Sequence, residues 1–211
     1  MLASHPAVLL GLDLLGVFAF ALSGGLVAVR KGLDVFGVQV LACVTALGGG
    51  VARDVVLDVR PVGLSDWRLV LTAVLAGFVA FGYAHGVQRF AKVVLTMDAL
   101  GLATFMTAGT LKALELGAPA LEAVLVGLMT AVGGGMMRDV LAGVVPEVLR
   151  TQLYAIPALA GGAMLAAAHT AGVHSVAVTL GCAAFVFGVR MAALRWRWQA
   201  PHPPRPSRSP S

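Results

Sequence analysis

Charge is scarce in this chain. Only 12% of its 211 residues are Asp, Glu, Lys or Arg, about half of what a soluble domain of that size carries. An ordinary water-soluble domain is thereby excluded, because too little polar surface is left to cover a sequence that is 59% hydrophobic. Cysteine is nearly absent as well. Cys43 and Cys182 fall in apolar stretches and give neither a disulfide framework nor a metal motif. There is no HExxH, no nucleophile–base pairing and no paired cysteine, so the chain does not read as an enzyme and no cofactor is expected. The N-terminus lacks a basic n-region, and its apolar run continues past signal-peptide length, which predicts a retained first span. Short alternating segments of the kind a β-barrel needs are missing too.

Apolar stretches long enough to cross a bilayer fill the sequence instead, and the mean hydropathy is +0.91. The expectation is an all-α polytopic membrane protein with seven transmembrane helices. The spans read as about 7–29, 35–58, 67–85, 93–113, 119–143, 152–171 and 174–193. The net charge of +5 would point to nucleic acid in a soluble protein. Here the basic residues cluster at span ends, where they set topology and meet anionic membrane lipid, so no nucleic-acid partner is expected.

One phrase occurs twice. Gly48-Gly49-Gly50-Val51-Ala52-Arg53-Asp54-Val55 returns as Gly133-Gly134-Gly135-Met136-Met137-Arg138-Asp139-Val140, an offset of 85 residues. The same offset maps Asp13 to Asp98, Gly16 to Gly101, Phe20 to Phe105, Gly24 to Gly109, Thr45 to Thr130 and Pro61 to Pro146. Aligned without a gap, 13–61 and 98–146 share 18 identities in 49 positions, the mark of an internal duplication. Residues 7–85 form repeat one and 93–171 repeat two; 174–193 is a lone seventh span, followed by a basic, Pro/Ser-rich tail over 194–211 that reads as disordered. Three spans per repeat make the second copy enter from the opposite side. The result is a 3+3 inverted repeat plus one C-terminal helix, with a pseudo-two-fold axis in the membrane plane.

Positive charge orients the bundle. Arg30, Lys31, Arg89, Lys92, Arg138, Arg150, Arg190, Arg195, Arg197, Arg205 and Arg208 gather on one side, against Arg53, Arg60, Arg68 and Lys112 on the other. The expectation is a multi-pass protein of the cell (inner) membrane with its N-terminus outside and its C-terminus cytoplasmic.

Three consecutive glycines make a poor helix interior, each costing roughly 1 kcal/mol relative to Ala. The second and fifth spans are therefore expected to kink or break at 48–50 and 133–135. A break frees carbonyls near Thr45 and Thr130 and leaves N–H groups that Asp54 and Asp139 are placed to cap. Freed carbonyls at a negative helix end attract cations. The bland alternative is that the triplets simply let helices cross closely. Asp13 shares a depth with Arg53, and Asp98 with Arg138, so Asp13–Arg53 and Asp98–Arg138 are expected ion pairs. These charges either line a path or brace the bundle. Thr104, Thr107 and Thr110 form a polar stripe that lines water or bonds between helices. Lys112 stands near the outer end of the fourth span where repeat one has Val27, and either snorkels or senses a cation path. His85, His169 and His174 sit near span ends without ligand spacing.

A three-plus-three-plus-one arrangement with GGGxxRD on the second and fifth spans resembles the prokaryotic TRIC family, the trimeric intracellular cation channels. Such bacterial sequences have also been catalogued as a membrane family with a glycine-transporter domain. The resemblance covers about 7–193. It implies a homotrimer with one pore for potassium or sodium ions inside each protomer. It implies that Gly48, Gly49, Gly50, Arg53, Asp54 and Gly133, Gly134, Gly135, Arg138, Asp139 belong to that pore. Lys112, in Ala108-Gly109-Thr110-Leu111-Lys112, matches a lysine linked to voltage gating in animal relatives. The Lys-Glu-Val phosphoinositide signature of those relatives is replaced here by Gly-Gly-Val-Ala-Arg-Asp. A carrier for a small zwitterion such as glycine is the competing expectation, since a broken helix offers partners for both carboxylate and ammonium.

Overall fold

The computed structural model describes residues 6–83, 90–150, 154–196 and 198. The Pro/Ser-rich tail from 199 on, with Arg205 and Arg208, lies outside the described residues, as do His85, Arg89 and Arg197. The described residues are helical with short connections: α1 (Pro6–Arg30), α2 (Val35–Val56), α3 (Val62–Ser65), α4 (Trp67–Gly82), α5 (Phe90–Glu115), α6 (Ala120–Leu141), α7 (Glu147–Arg150), α8 (Ala155–Thr170) and α9 (Val176–Trp196). The seven expected spans are α1, α2, α4, α5, α6, α8 and α9. Five are long and apolar enough to cross a membrane by themselves. α4 and α8 have 16 residues each, about 24 Å of rise against a hydrocarbon core of about 30 Å.

The duplication is legible in the connections. The helix ends use a left-handed residue at matching places, Gly32 (φ 74°) and Gly117 (φ 85°) after the first helix of each repeat. After the second helix the same conformation falls to Gly143 (φ 66°) in repeat two and to Asp58 (φ 53°) in repeat one, a position where aspartate is tolerated and β-branched residues are not. The one-turn helices α3 and α7 occupy equivalent positions. α2 starts at an Asp34 cap that accepts the Gly37 N–H at 2.8 Å; the equivalent cap of α6 is Pro119.

Packing follows the duplication as well. α1 packs on α2 and α4 as α5 packs on α6 and α8, and the two halves meet through α1 against α5 and α2 against α6. These crossings are antiparallel and reciprocal. A Cβ built on Gly101 would fall on the Phe20 ring, and one on Gly16 would meet Thr104 and the Phe105 ring. Phe20 and Phe105, equivalent residues of the two repeats, face each other with ring centroids 5.3 Å apart. The central core draws on all seven spans, from Val17 and Ala42 through Leu102 and Ala131 to Val186. Large apolar side chains face outward at equivalent positions, Phe36 with Leu121 and Val55 with Val140. Such a surface suits lipid and would drive aggregation in water. α9 has no equivalent and packs on α5 and α8.

Candidate functional site

The glycine triplets do not break their helices. α2 and α6 run through 48–50 and 133–135 without interruption, which corrects the expected break and its freed carbonyls. The triplets mark instead the place where the two helices touch. A Cβ on Gly49 would fall on the Thr130 carbonyl oxygen, and one on Gly134 on the Thr45 carbonyl oxygen. Gly133 faces the Gly49 Cα, Gly48 faces Met137, and Gly135 faces the Tyr154 hydroxyl and Asp98. Gly50 is almost unconstrained, with only the Arg53 guanidinium at 4.0 Å. Small residues let backbones approach where the packing leaves no room for side chains, and the alternative reading of close crossing prevails. The Thr45 and Thr130 hydroxyls bond back to Leu41 O at 2.6 Å and Val126 O at 2.7 Å, inside their own helices. Thr104 and Thr107 likewise bond back to carbonyls of α5.

A charged cluster stands on each side of this crossing. In the first, Arg53 Nε donates to Asp54 Oδ1 at 2.7 Å, and its Nη1 lies 3.8 Å from Asp13. Asp54 also accepts from Lys112 Nζ at 2.8 Å and from the Val62 N–H at 2.9 Å. In the second, Arg138 Nε donates to Asp139 Oδ1 at 2.9 Å, and its Nη1 to Asp98 Oδ1 at 2.7 Å. Asp139 accepts from the Glu147 N–H at 2.9 Å, the counterpart of Val62. The aspartates therefore cap the one-turn helices α3 and α7 rather than any half-helix after the glycines. Arg53, Asp54, Asp98, Arg138 and Asp139 are all buried, and each is held by charge-assisted bonds, as ions away from water must be. Outside the spans, the hydrogen bond from Arg68 holds the half-buried Asp66 carboxyl below its ordinary value.

The clusters differ where the repeats diverge. Lys112 crosses from α5 to Asp54, so it neither stands alone nor snorkels. Ser23 crosses from α1 to accept from Arg138 Nη1 at 2.6 Å. The equivalents of these two are Val27 and Ala108, which is why aligning the repeats hides them. Tyr154 and Arg190 were not singled out by the sequence either. Arg190, placed among the interfacial charges by the sequence, is 1% exposed within α9. An arginine inside an otherwise apolar span was the signal that could have found it.

Each cluster borders a cavity. The first meets a space of about 10 Å³ lined by Asp13, Gly50, Arg53 and Phe105, room for one water at most. The second opens into about 330 Å³ lined by Asp98, Arg138, Asp139, Glu147 and the basic Arg30, Lys31 and Arg150. The α2–α6 crossing lies between them. His169 and His174 form an edge-on pair at 4.6 Å across the α8–α9 turn, away from both clusters.

A sequence model for the family described as glycine transporter matches the chain twice, over residues 10–85 and 95–170, at the offset of the duplication. A UPF0126 membrane protein of Streptomyces coelicolor is 48% identical over 210 residues, covering 98% of this chain and 96% of that protein. The UPF0126 inner membrane protein YadS of Escherichia coli is 38% identical over 200 residues, covering 90% and 93%. Among solved structures, a TRIC trimeric intracellular cation channel orthologue from Rhodobacter sphaeroides superposes with a TM-score of 0.87 at 35% identity, covering 90% of this chain and 99% of that one. A prokaryotic TRIC channel crystallised in 0.5 M KCl superposes with a TM-score of 0.86 at 29% identity, over 90% and 98%.

Proposed function

The chain belongs to the prokaryotic TRIC family, whose sequence model carries the description glycine transporter, and from that premise we propose that it is a monovalent cation channel, permeable to potassium, with one path inside each protomer of a homotrimer. The observation that carries this reading is the pair of buried Asp–Arg–Asp clusters on opposite sides of the α2–α6 crossing, each bordering a cavity. Every arginine in them is neutralised by carboxylates, so none stands as an unpaired barrier to a cation. The path runs along α2 and α6. The glycine crossing at Gly49 and Gly134 is its narrow point, flanked by Thr45 and Thr130. Asp13, Arg53 and Asp54 stand at one mouth, and Asp98, Arg138 and Asp139 at the other.

Lys112 holds Asp54 and is the gating candidate at its mouth. Its release would leave Asp54 to Arg53 and the Val62 N–H and remove a cation from the wall. The wide cavity faces the cytoplasm, with the C-terminus on that side and the N-terminus outside, in keeping with the basic Arg30, Lys31 and Arg150 around it.

Reconstitution in liposomes tests the reading. A potassium gradient across protein-containing vesicles should drive a current at rates beyond any carrier. The family description makes glycine the solute to set against it. Saturable glycine exchange with no potassium conductance would replace the channel by a carrier.

A further inference from the structure

The seventh span has no counterpart in the duplication, yet it delivers the bulkiest fully buried side chain. Arg190 on α9 is 1% exposed. Its guanidinium carbon lies 4.6 Å from the Tyr154 ring centroid, and its Nη2 is 3.9 Å from Glu147 Oε1. Among the described residues, its Nε and Nη2 meet no hydrogen-bond acceptor. A cation so placed is held by the face of an aromatic ring and by a nearby carboxylate, at short range in a low dielectric.

Both partners lead to the second cluster. The Tyr154 hydroxyl and Asp98 Oδ1 flank the same face of Gly135. Glu147 opens α7 with its N–H on Asp139 and lines the 330 Å³ cavity. Among the described residues the first cluster has nothing of the kind, since Val62 takes the place of Glu147 and no described helix is the counterpart of α9. Charge therefore differs between the two. In the first, Asp13 and Asp54 balance Arg53 and Lys112. In the second, Asp98, Asp139 and Glu147 meet Arg138 and Arg190, and Arg30, Lys31 and Arg150 line the same cavity.

We propose that Arg190 is a positioning residue for cation conduction: it holds Glu147 in the wall of the wide cavity and offsets its charge, so the unrepeated seventh helix sets the field at that mouth. The inference rests on the channel reading. Arg190 touches no permeant ion. It acts through Glu147 and Tyr154, and its signature is electrostatic.

The full-length protein in planar bilayers tests this across a series from dilute to concentrated KCl. Arg190→Gln makes the wall one charge more negative. It should raise potassium conductance about twofold in dilute KCl, with the ratio to wild type falling toward one as salt screens the extra charge. Glu147→Gln should lower conductance in dilute KCl. The double variant Glu147→Gln/Arg190→Gln should return near wild type, and Arg190→Lys, which keeps the charge, should do the same. A ratio that stays constant at all salt concentrations, whether one or below it, would make Arg190 a packing residue and overturn the inference. Should Arg190→Gln fail to assemble, Glu147→Gln alone decides: unchanged conductance in dilute KCl overturns the inference. Wild-type bilayers without potassium current would remove the channel reading and this inference with it. A conducting wild type with unresponsive variants removes the inference alone.

Discussion

Arg138 is the side chain on which the most buried charge depends. It is the direct ion-pair partner of both Asp98 and Asp139, and all three are shielded from water. Replacing it by methionine leaves two carboxylates without a cation in contact. That should cost about 3–5 kcal/mol, read as a lowered unfolding temperature in detergent. Arg53→Met should cost less, because Asp54 keeps Lys112 and the Asp13 contact is longer and partly wet. Equal losses for the two variants would show that the clusters are not asymmetric in the way Lys112 implies. Asp54→Asn tests charge rather than stability. It leaves Arg53 and Lys112 facing Asp13 alone, and should reduce cation preference, seen as a reversal potential in asymmetric KCl that moves away from the potassium value. An unmoved potential would make Asp54 a brace. The Asp13–Arg53 and Asp98–Arg138 pairs were legible in the sequence because the duplication fixes depth, and ions at one depth in a membrane seek each other. Ser23, Lys112's partner and the role of Arg190 were not, because they arise where one repeat reaches into the other or where α9, outside the duplication, joins in. Matching the repeats position by position hides contacts of that kind.

At the scale of the helix, the question is what three glycines accomplish. Their low helix propensity argued for a break, but propensity is a small term beside the packing of a whole span. α2 and α6 keep their hydrogen bonds and lose their side chains only where they touch. The positions within each triplet should therefore behave differently on substitution by alanine. Gly134→Ala drives a methyl into the Thr45 carbonyl and the Phe20 ring, and Gly49→Ala into the Thr130 carbonyl. Each must push the helices apart, at a cost of about 1–3 kcal/mol. Gly50→Ala finds nothing closer than the Arg53 guanidinium at 4.0 Å, and should be neutral or stabilising by up to about 1 kcal/mol. Thermal unfolding of the purified variants in detergent gives the order, and a Gly50→Ala as damaging as Gly134→Ala would contradict a steric role for the middle glycine. Span number, order and inversion were readable from hydropathy and the 85-residue offset. The behaviour of the triplets was not, because period and propensity describe one helix at a time, and the crossing belongs to two.

On the scale of the whole molecule, both clusters are completed within one chain. Asp13, Arg53, Asp54 and Lys112 come together from α1, α2 and α5. Asp98, Arg138, Asp139 and Ser23 come from α5, α6 and α1. Each buried arginine finds its carboxylates within the same chain, with only Asp98 Oδ2 of the cluster carboxylates left without a partner among the described residues, and the reciprocal crossings of α1 with α5 and α2 with α6 suit a proposed path inside a single protomer. In a trimer built on this plan, the three paths conduct independently. Gly134→Leu, with a side chain larger than the crossing admits, should silence the protomer that carries it and spare its neighbours. Trimers assembled from mixtures of wild-type and Gly134→Leu chains should then lose current in proportion to the mutant fraction. A central pore shared by all three chains would instead lose current far more steeply, because one altered subunit in three would block it. Single-channel records from the mixtures separate the two cases directly: independent paths give conductance steps of about one third, two thirds and the whole of the wild-type amplitude. A shared pore gives all or nothing.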